Sequence, residues 1–154
     1  MTREEKFMKE AFKRAKKAEK LGEVPIGAVI VKDGKIISSG YNLREKRHST
    51  IAHAEIIAIE RACKKLKDWR LDGCEIYVTL EPCPMCAGAI LNSRISRVVY
   101  ASRDEKMGAC NSAFNLFDMQ LGSDTLVKSG VLEQQSTKLL QSFFKGLRDK
   151  NKEK

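Results

Sequence analysis

The stretch Glu75-Ile76-Tyr77-Val78-Thr79-Leu80-Glu81-Pro82-Cys83-Pro84-Met85-Cys86 carries the change of period that decides the fold. Residues 75–80 are apolar and β-branched, which predicts a strand. From Cys83 to Ser93 the pattern predicts a helix, so the cysteines sit where a strand ends and a helix begins. Pro82 suits the start of that helix, where a missing N–H costs nothing. Cys83 and Cys86 stand three apart, which puts both sulfurs on one face of a helical turn. Thiolates there meet unpaired backbone N–H groups and the positive end of the helix dipole, which favour the deprotonated form that a metal binds.

Working outward, His53-Ala54-Glu55 opens a second predicted helix, Ala54 to Leu66. Two helix starts facing each other would bring His53, Cys83 and Cys86 onto one metal ion. Zinc accepts imidazole nitrogen and thiolate sulfur, and a catalytic zinc site has three protein ligands and a position left for water. Glu55 lies two residues from His53, within reach of that water, and is the candidate catalytic proton carrier. A C-x-x-C pair also occurs in structural zinc sites and redox pairs. A structural site closes with a fourth ligand. The remaining candidates, His48, Cys63, Cys74 and Cys110, form no second spaced pair, and a redox pair leaves His53 and Glu55 unexplained. The pattern favours a catalytic site.

The length, 154 residues, fits one compact domain over 1–154 with a full core, its last few residues disordered. Hydrophobic content of 42% excludes general disorder. No apolar run is long enough to span a membrane, and the charged N-terminal segment lacks the apolar centre of a secretory signal. Five cysteines without framework spacing point to a reducing cytoplasm, with Cys63 and Cys74 read as buried small hydrophobes. A net charge of +9 and a pI near 9.4 suggest an anionic partner, without choosing among RNA, DNA and a membrane surface. The basic residues of the first helix read as a solvated face. Those flanking the metal motifs (Arg44, Lys46 and Arg47; Arg94, Arg97, Arg103 and Lys106) are better placed for phosphate.

Helix and strand alternate along the chain. Thr2-Arg3-Glu4-Glu5 has capping-box spacing, and Phe7, Met8, Ala11, Ala15 and Ala18 mark one helical face. Ile26 to Val31 and Lys35 to Tyr41 read as a hairpin around Asp33-Gly34. A strand is expected at Arg97 to Ala101, a loop of small residues over 103–115, a short strand near Leu126, and a last helix from Glu133 to Lys150. The fold class is therefore α/β, one sheet with helices on both sides.

The combination H-x-E…P-C-x-x-C is a pattern already known as the signature of zinc nucleobase deaminases. The chain resembles the bacterial tRNA-specific adenosine deaminases, within the cytidine deaminase-like superfamily, over nearly its whole length. Residues 23–29, Ala52-His53-Ala54-Glu55 and Tyr77 to Ala89 resemble the family's first strand and its two zinc motifs. Ser93 to Tyr100 and Phe143-Phe144-Lys145-Gly146-Leu147-Arg148 resemble the tRNA branch in particular. The resemblance implies a three-layer fold whose mixed sheet has five strands, the last two parallel. It implies a homodimer with one Zn2+ per subunit and no organic cofactor, converting the wobble adenosine of a tRNA anticodon stem-loop to inosine. Asn42 matches a residue that holds the flipped nucleoside, and Asp104, Lys106, Phe144 and Arg148 match positions near the anticodon loop.

Three departures from the family pattern concern the outer part of the RNA loop: Ser49-Thr50 in place of an Asp-Pro turn, Asn111-Ser112 in place of Gly-Ser, and no Asn-His-Arg run around Gly122-Ser123-Asp124. The nearest alternative is a deaminase of the same fold acting on guanine or another small nucleobase. Basic charge and the Phe143-Phe144 helix argue against a small free substrate. A non-catalytic zinc module that binds RNA is the alternative of a different class, and Glu55 and the missing fourth ligand argue against it.

Overall fold

The structure is a computed structural model and describes residues 1–121 and 124–152. Its centre is a five-stranded sheet in the order β2-β1-β3-β4-β5, built from β1 (Gly27–Lys32), β2 (Lys35–Tyr41), β3 (Cys74–Leu80), β4 (Arg97–Ser102) and β5 (Leu126–Lys128). β1 pairs antiparallel with β2 and β3, β3 runs parallel to β4, and β4 and β5 are parallel, as the resemblance implied for the last two strands. The β1–β2 turn places Asp33 and Gly34 at positive φ (51° and 76°), the conformation that favours Asp-Gly in tight hairpins.

Helices α1 (Arg3–Lys20) and α4 (Glu133–Lys152) cover one face, and α2 (Ala54–Leu66) and α3 (Pro84–Asn92) cover the other. Thr2 and Glu5 form the expected capping box at the start of α1. Met8, Ala11 and Phe12 then pack on Val29, Val31, Tyr77 and Val99. The opposite layer buries Ala54, Ala58 and Ala62 of α2 with Ala87 and Ile90 of α3 against Ala28, Ile30, Ile76 and Val78. The inner strands have apolar residues on both faces because both faces are covered. Gly40 makes the α2 contact possible: a Cβ there would overlap the Ala54 carbonyl and crowd the Ala58 nitrogen.

Three expectations change or lie outside the described residues. The cysteine helix begins at Pro84, with Cys83 as its N-cap, so Pro82 lies ahead of the helix and Pro84 takes the first position. The cause is local. A residue preceding proline is driven into extended backbone, and Cys83 duly sits at φ −74°, ψ 174°. The last helix runs to Lys152, and residues 153–154, where disorder was expected, lie outside the described residues. So do Gly122 and Ser123 of the third departure.

No helix among the described residues is long and apolar enough to cross a membrane. Cys74 is buried as expected, whereas Cys63 is only half-buried, and no disulfide joins any of the five cysteines.

Candidate functional site

β3 and β4 end at the same edge of the sheet, and ligands of open α/β sheets gather beyond the carboxyl ends of strands. There β3 delivers Cys83 as the N-cap of α3, and His53 is the N-cap of α2. Neither side chain makes a capping hydrogen bond, so both remain available for another partner. His53 Nδ1 lies 3.8 Å from Cys83 Sγ and 3.4 Å from Cys86 Sγ, and the three donor atoms fall within 4.8 Å of one another. A tetrahedral zinc with bonds of about 2.0–2.3 Å needs nitrogen and sulfur ligands about 3.5 Å apart. The donor set fits one Zn2+.

The protein groups by themselves already favour a thiolate. The hydrogen bond from Cys86, followed by that from His53, pulls the Cys83 thiol down to about 4. The same two partnerships push Cys86 and His53 above their ordinary values. Glu55 is 4% exposed, and burial raises its carboxyl to about 7. It stands in the first turn of α2 beside the trio and is not itself one of the three candidate ligands. A group poised near neutrality beside a candidate metal is suited to carrying protons.

A cavity of about 540 Å³ opens at His53 and Cys83. His53, Glu55 and Cys83 form its floor, while Asn42, Arg44 and Thr50 from the segment before α2 and Asp104 and Met107 from the loop after β4 supply its walls. Asn42 and Asp104 thus reach the cavity. Each also organises its own turn. Asn42 Oδ1 accepts the Arg44 N–H at 3.2 Å and its Nδ2 donates to the Val24 carbonyl at 3.3 Å. Asp104 Oδ1 accepts the N–H groups of Lys106 and Met107 at 3.2 and 3.1 Å.

Phe144 and Arg148 line a separate hollow of about 310 Å³ with Ser102, Arg103 and Thr137. Consecutive residues serve the two spaces, Arg103 lining the hollow and Asp104 the cavity. Phe144 is 40% exposed and meets Phe143 edge-on, so its ring is not core. Lys106 is exposed and lines neither space.

The basic residues flanking the motifs divide as well. Arg44 and Arg103 face these two spaces. Arg97 is committed to Glu75 at 2.7 Å and Glu4 at 3.2 Å, and Arg94 lies over the Trp69 ring and donates to the Leu91 carbonyl. Sequence reasoning missed Thr50, Met85 and Met107 as cavity residues, and two buried acids, Glu23 and Glu81. The available signal was an acidic residue set in an apolar run, as in Leu80-Glu81-Pro82.

Residues 1–102 match the family model of the cytidine and deoxycytidylate deaminase zinc-binding region. The chain belongs to that family, and its relatives place it in the branch of the tRNA-specific adenosine deaminases. It is 51% identical to the tRNA-specific adenosine deaminase of Bacillus subtilis (strain 168), across 99% of this chain and 95% of that one. It is 47% identical to the tRNA-specific adenosine deaminase of Haemophilus influenzae, across 97% and 87%. A solved structure from work on A-to-I editing by tRNA:A34 deaminases at the wobble position of transfer RNA superposes with a TM-score of 0.84. That chain is 42% identical, with 87% of this chain and 98% of it covered.

Proposed function

We propose that the protein converts the wobble adenosine, position 34, of a tRNA anticodon loop to inosine, using one Zn2+ held by His53, Cys83 and Cys86 and Glu55 as the proton carrier. The carrying observation is the site itself: three ligand atoms at tetrahedral spacing, with a buried carboxylate standing beside them. Similarity to tRNA-specific adenosine deaminases along nearly the whole chain supports the choice of substrate.

Zinc held there supplies Lewis acidity, which makes water a competent nucleophile near neutral pH. Glu55 takes a proton from the attacking water at its carboxylate and delivers one to the ring nitrogen beside C6. A second transfer through the same carboxyl lets the amino group leave as ammonia, so that adenosine and water become inosine and ammonia. The walls hold the base after it leaves its stack, with Asn42 and Asp104 both lining the space. Extrusion is cheaper for a loop nucleotide than for one in a duplex.

Phe144, Arg148 and Arg103 beside the cavity suit the flanking nucleotides and their phosphates, with Lys106 a further contact. Aromatic stacking and basic contacts are how proteins commonly read single-stranded RNA. The working form is a homodimer, the substrate unit is the anticodon stem-loop, and the compartment is the cytoplasm. The chain acts as one domain.

The test is incubation of the zinc-loaded protein with an adenosine-34 anticodon stem-loop, free adenosine, guanine and cytidine, scoring ammonia and inosine. Deamination of the stem-loop above all others is expected. A preference for guanine would move the protein to the small-nucleobase branch, and no turnover of any substrate would favour a zinc module that only binds RNA. Size-exclusion chromatography with light scattering checks the dimer.

A further inference from the structure

We propose that Glu81 is a positioning residue for the substrate, acting through the loop 103–115 that forms one wall of the cavity. The carboxylate is 2% exposed, and among the described residues it takes part in no ion pair. Its side-chain partners all come from that loop. Oε2 accepts the consecutive N–H groups of Cys110, Asn111 and Ser112 at 3.0, 2.9 and 3.0 Å. Oε1 accepts the Asp104 N–H at 3.1 Å and the Ser112 hydroxyl.

Successive backbone N–H groups converging on one point make a nest that binds an anion. Here the anion is the protein's own carboxylate. Gly108 completes the fit, since a Cβ at that position would overlap both the Glu81 carboxyl and the Asp104 carbonyl. The backbone adds two more ties: the Glu81 N–H donates to the Ser102 carbonyl at 2.8 Å, and the Ala109 N–H donates to the Pro82 carbonyl at 2.9 Å.

The consequence is geometric. Glu81 lies two residues before Cys83, so the segment that supplies a metal ligand also clamps the loop carrying Asp104 and Met107 into the cavity. The distance between floor and wall is then fixed by a short covalent path and a saturated carboxylate. Asn111 joins the nest through its backbone N–H, whereas Ser112 joins through both its N–H and its hydroxyl. The role in substrate positioning rests on the reading of the cavity as the reaction site. The anchoring of the loop does not.

The experiment uses the zinc-loaded protein and two variants, Glu81→Gln and the milder Ser112→Ala. Amide hydrogen exchange is followed by NMR without substrate at Asp104, Cys110, Asn111 and Ser112, with Val29 and Ile76 in the sheet as internal controls. Zinc content, kcat and KM on the stem-loop are measured in parallel. A hydrogen bond to a charged group is worth about a factor of ten or more. Loop exchange should therefore rise about tenfold or more in Glu81→Gln, and by less in Ser112→Ala, with the controls and zinc unchanged.

A wall that contacts the substrate equally before and during reaction contributes uniform binding, so KM should rise several-fold while kcat stays within about twofold. Unchanged loop exchange in both variants would overturn the anchor, whatever the substrate proves to be. Faster exchange with an unchanged KM would overturn the positioning role. Should Glu81→Gln fail to fold, Ser112→Ala carries both comparisons on a smaller scale.

Discussion

The floor and the walls of the cavity are built on different principles. The floor is made of regular elements: His53 and Cys83 cap two helices that pack side by side on the sheet, and Cys86 follows one turn later. Its geometry comes from helix periodicity and from core packing behind it. The walls are irregular backbone, residues 42–53 and 103–115, held by side chains that accept main-chain N–H groups. Glu23 accepts those of Glu45 and Lys46 at 3.0 and 2.7 Å, as Glu81 does for those of the second loop. Loops presented on a rigid scaffold are where substrate recognition concentrates. The floor should therefore govern chemistry and metal, and the walls affinity and selection.

The sharpest way to break this division is at the floor. Cys83→Ala should lose both zinc and turnover, because His53 and Cys86 cannot close the ligand set between them. Metal analysis of the purified variant decides it, and full zinc occupancy would remove Cys83 from the site. Glu55→Ala should keep zinc and stem-loop binding while kcat falls by about 10²–10⁴, the usual worth of a positioned acid–base group. Retained turnover near the wild-type rate would leave the proton path without a carrier.

Behind the floor, Gly40→Ala should act on stability first. The added methyl meets α2 backbone at Ala54, next to His53, and overpacking of this kind costs about 1–3 kcal/mol. Chemical denaturation should show a lower midpoint, with reduced zinc affinity in the folded fraction. An unchanged midpoint would mean that α2 is not held against β2 by that close approach.

Effects at the walls and beyond should be smaller. Asn42→Ala should impair the stem-loop and any shorter adenosine substrate alike, since the residue lines the cavity itself. Arg148→Ala and Phe144→Ala should weaken the stem-loop only. Loss of Arg148 should also reduce the salt dependence of binding by about one phosphate contact. Fluorescence titration over a salt series checks this, and an unchanged slope would take Arg148 out of the RNA contact. If wall variants lowered kcat as deeply as Glu55→Ala, the separation of floor from walls would collapse.

The sequence by itself determined the floor. Histidine, cysteine and glutamate at those spacings are chemically specific, and the helix starts that carry them follow from local signals such as proline and apolar period. It also determined the order of helices and strands, because both periodicities are strong in the buried elements. The parallel pairing of the last strands came from family resemblance, since nothing local distinguishes a three-residue strand's partner.

Only the tertiary structure decided how the walls are held and which charges are free. Arg97 and Arg103 look alike in the chain, yet one is consumed by Glu4 and Glu75 while the other faces the hollow beside the cavity. Glu81 reads as one more acidic residue before a proline. Its function lies in N–H groups 23 to 31 positions away, and such partners are assigned by folding, not by spacing.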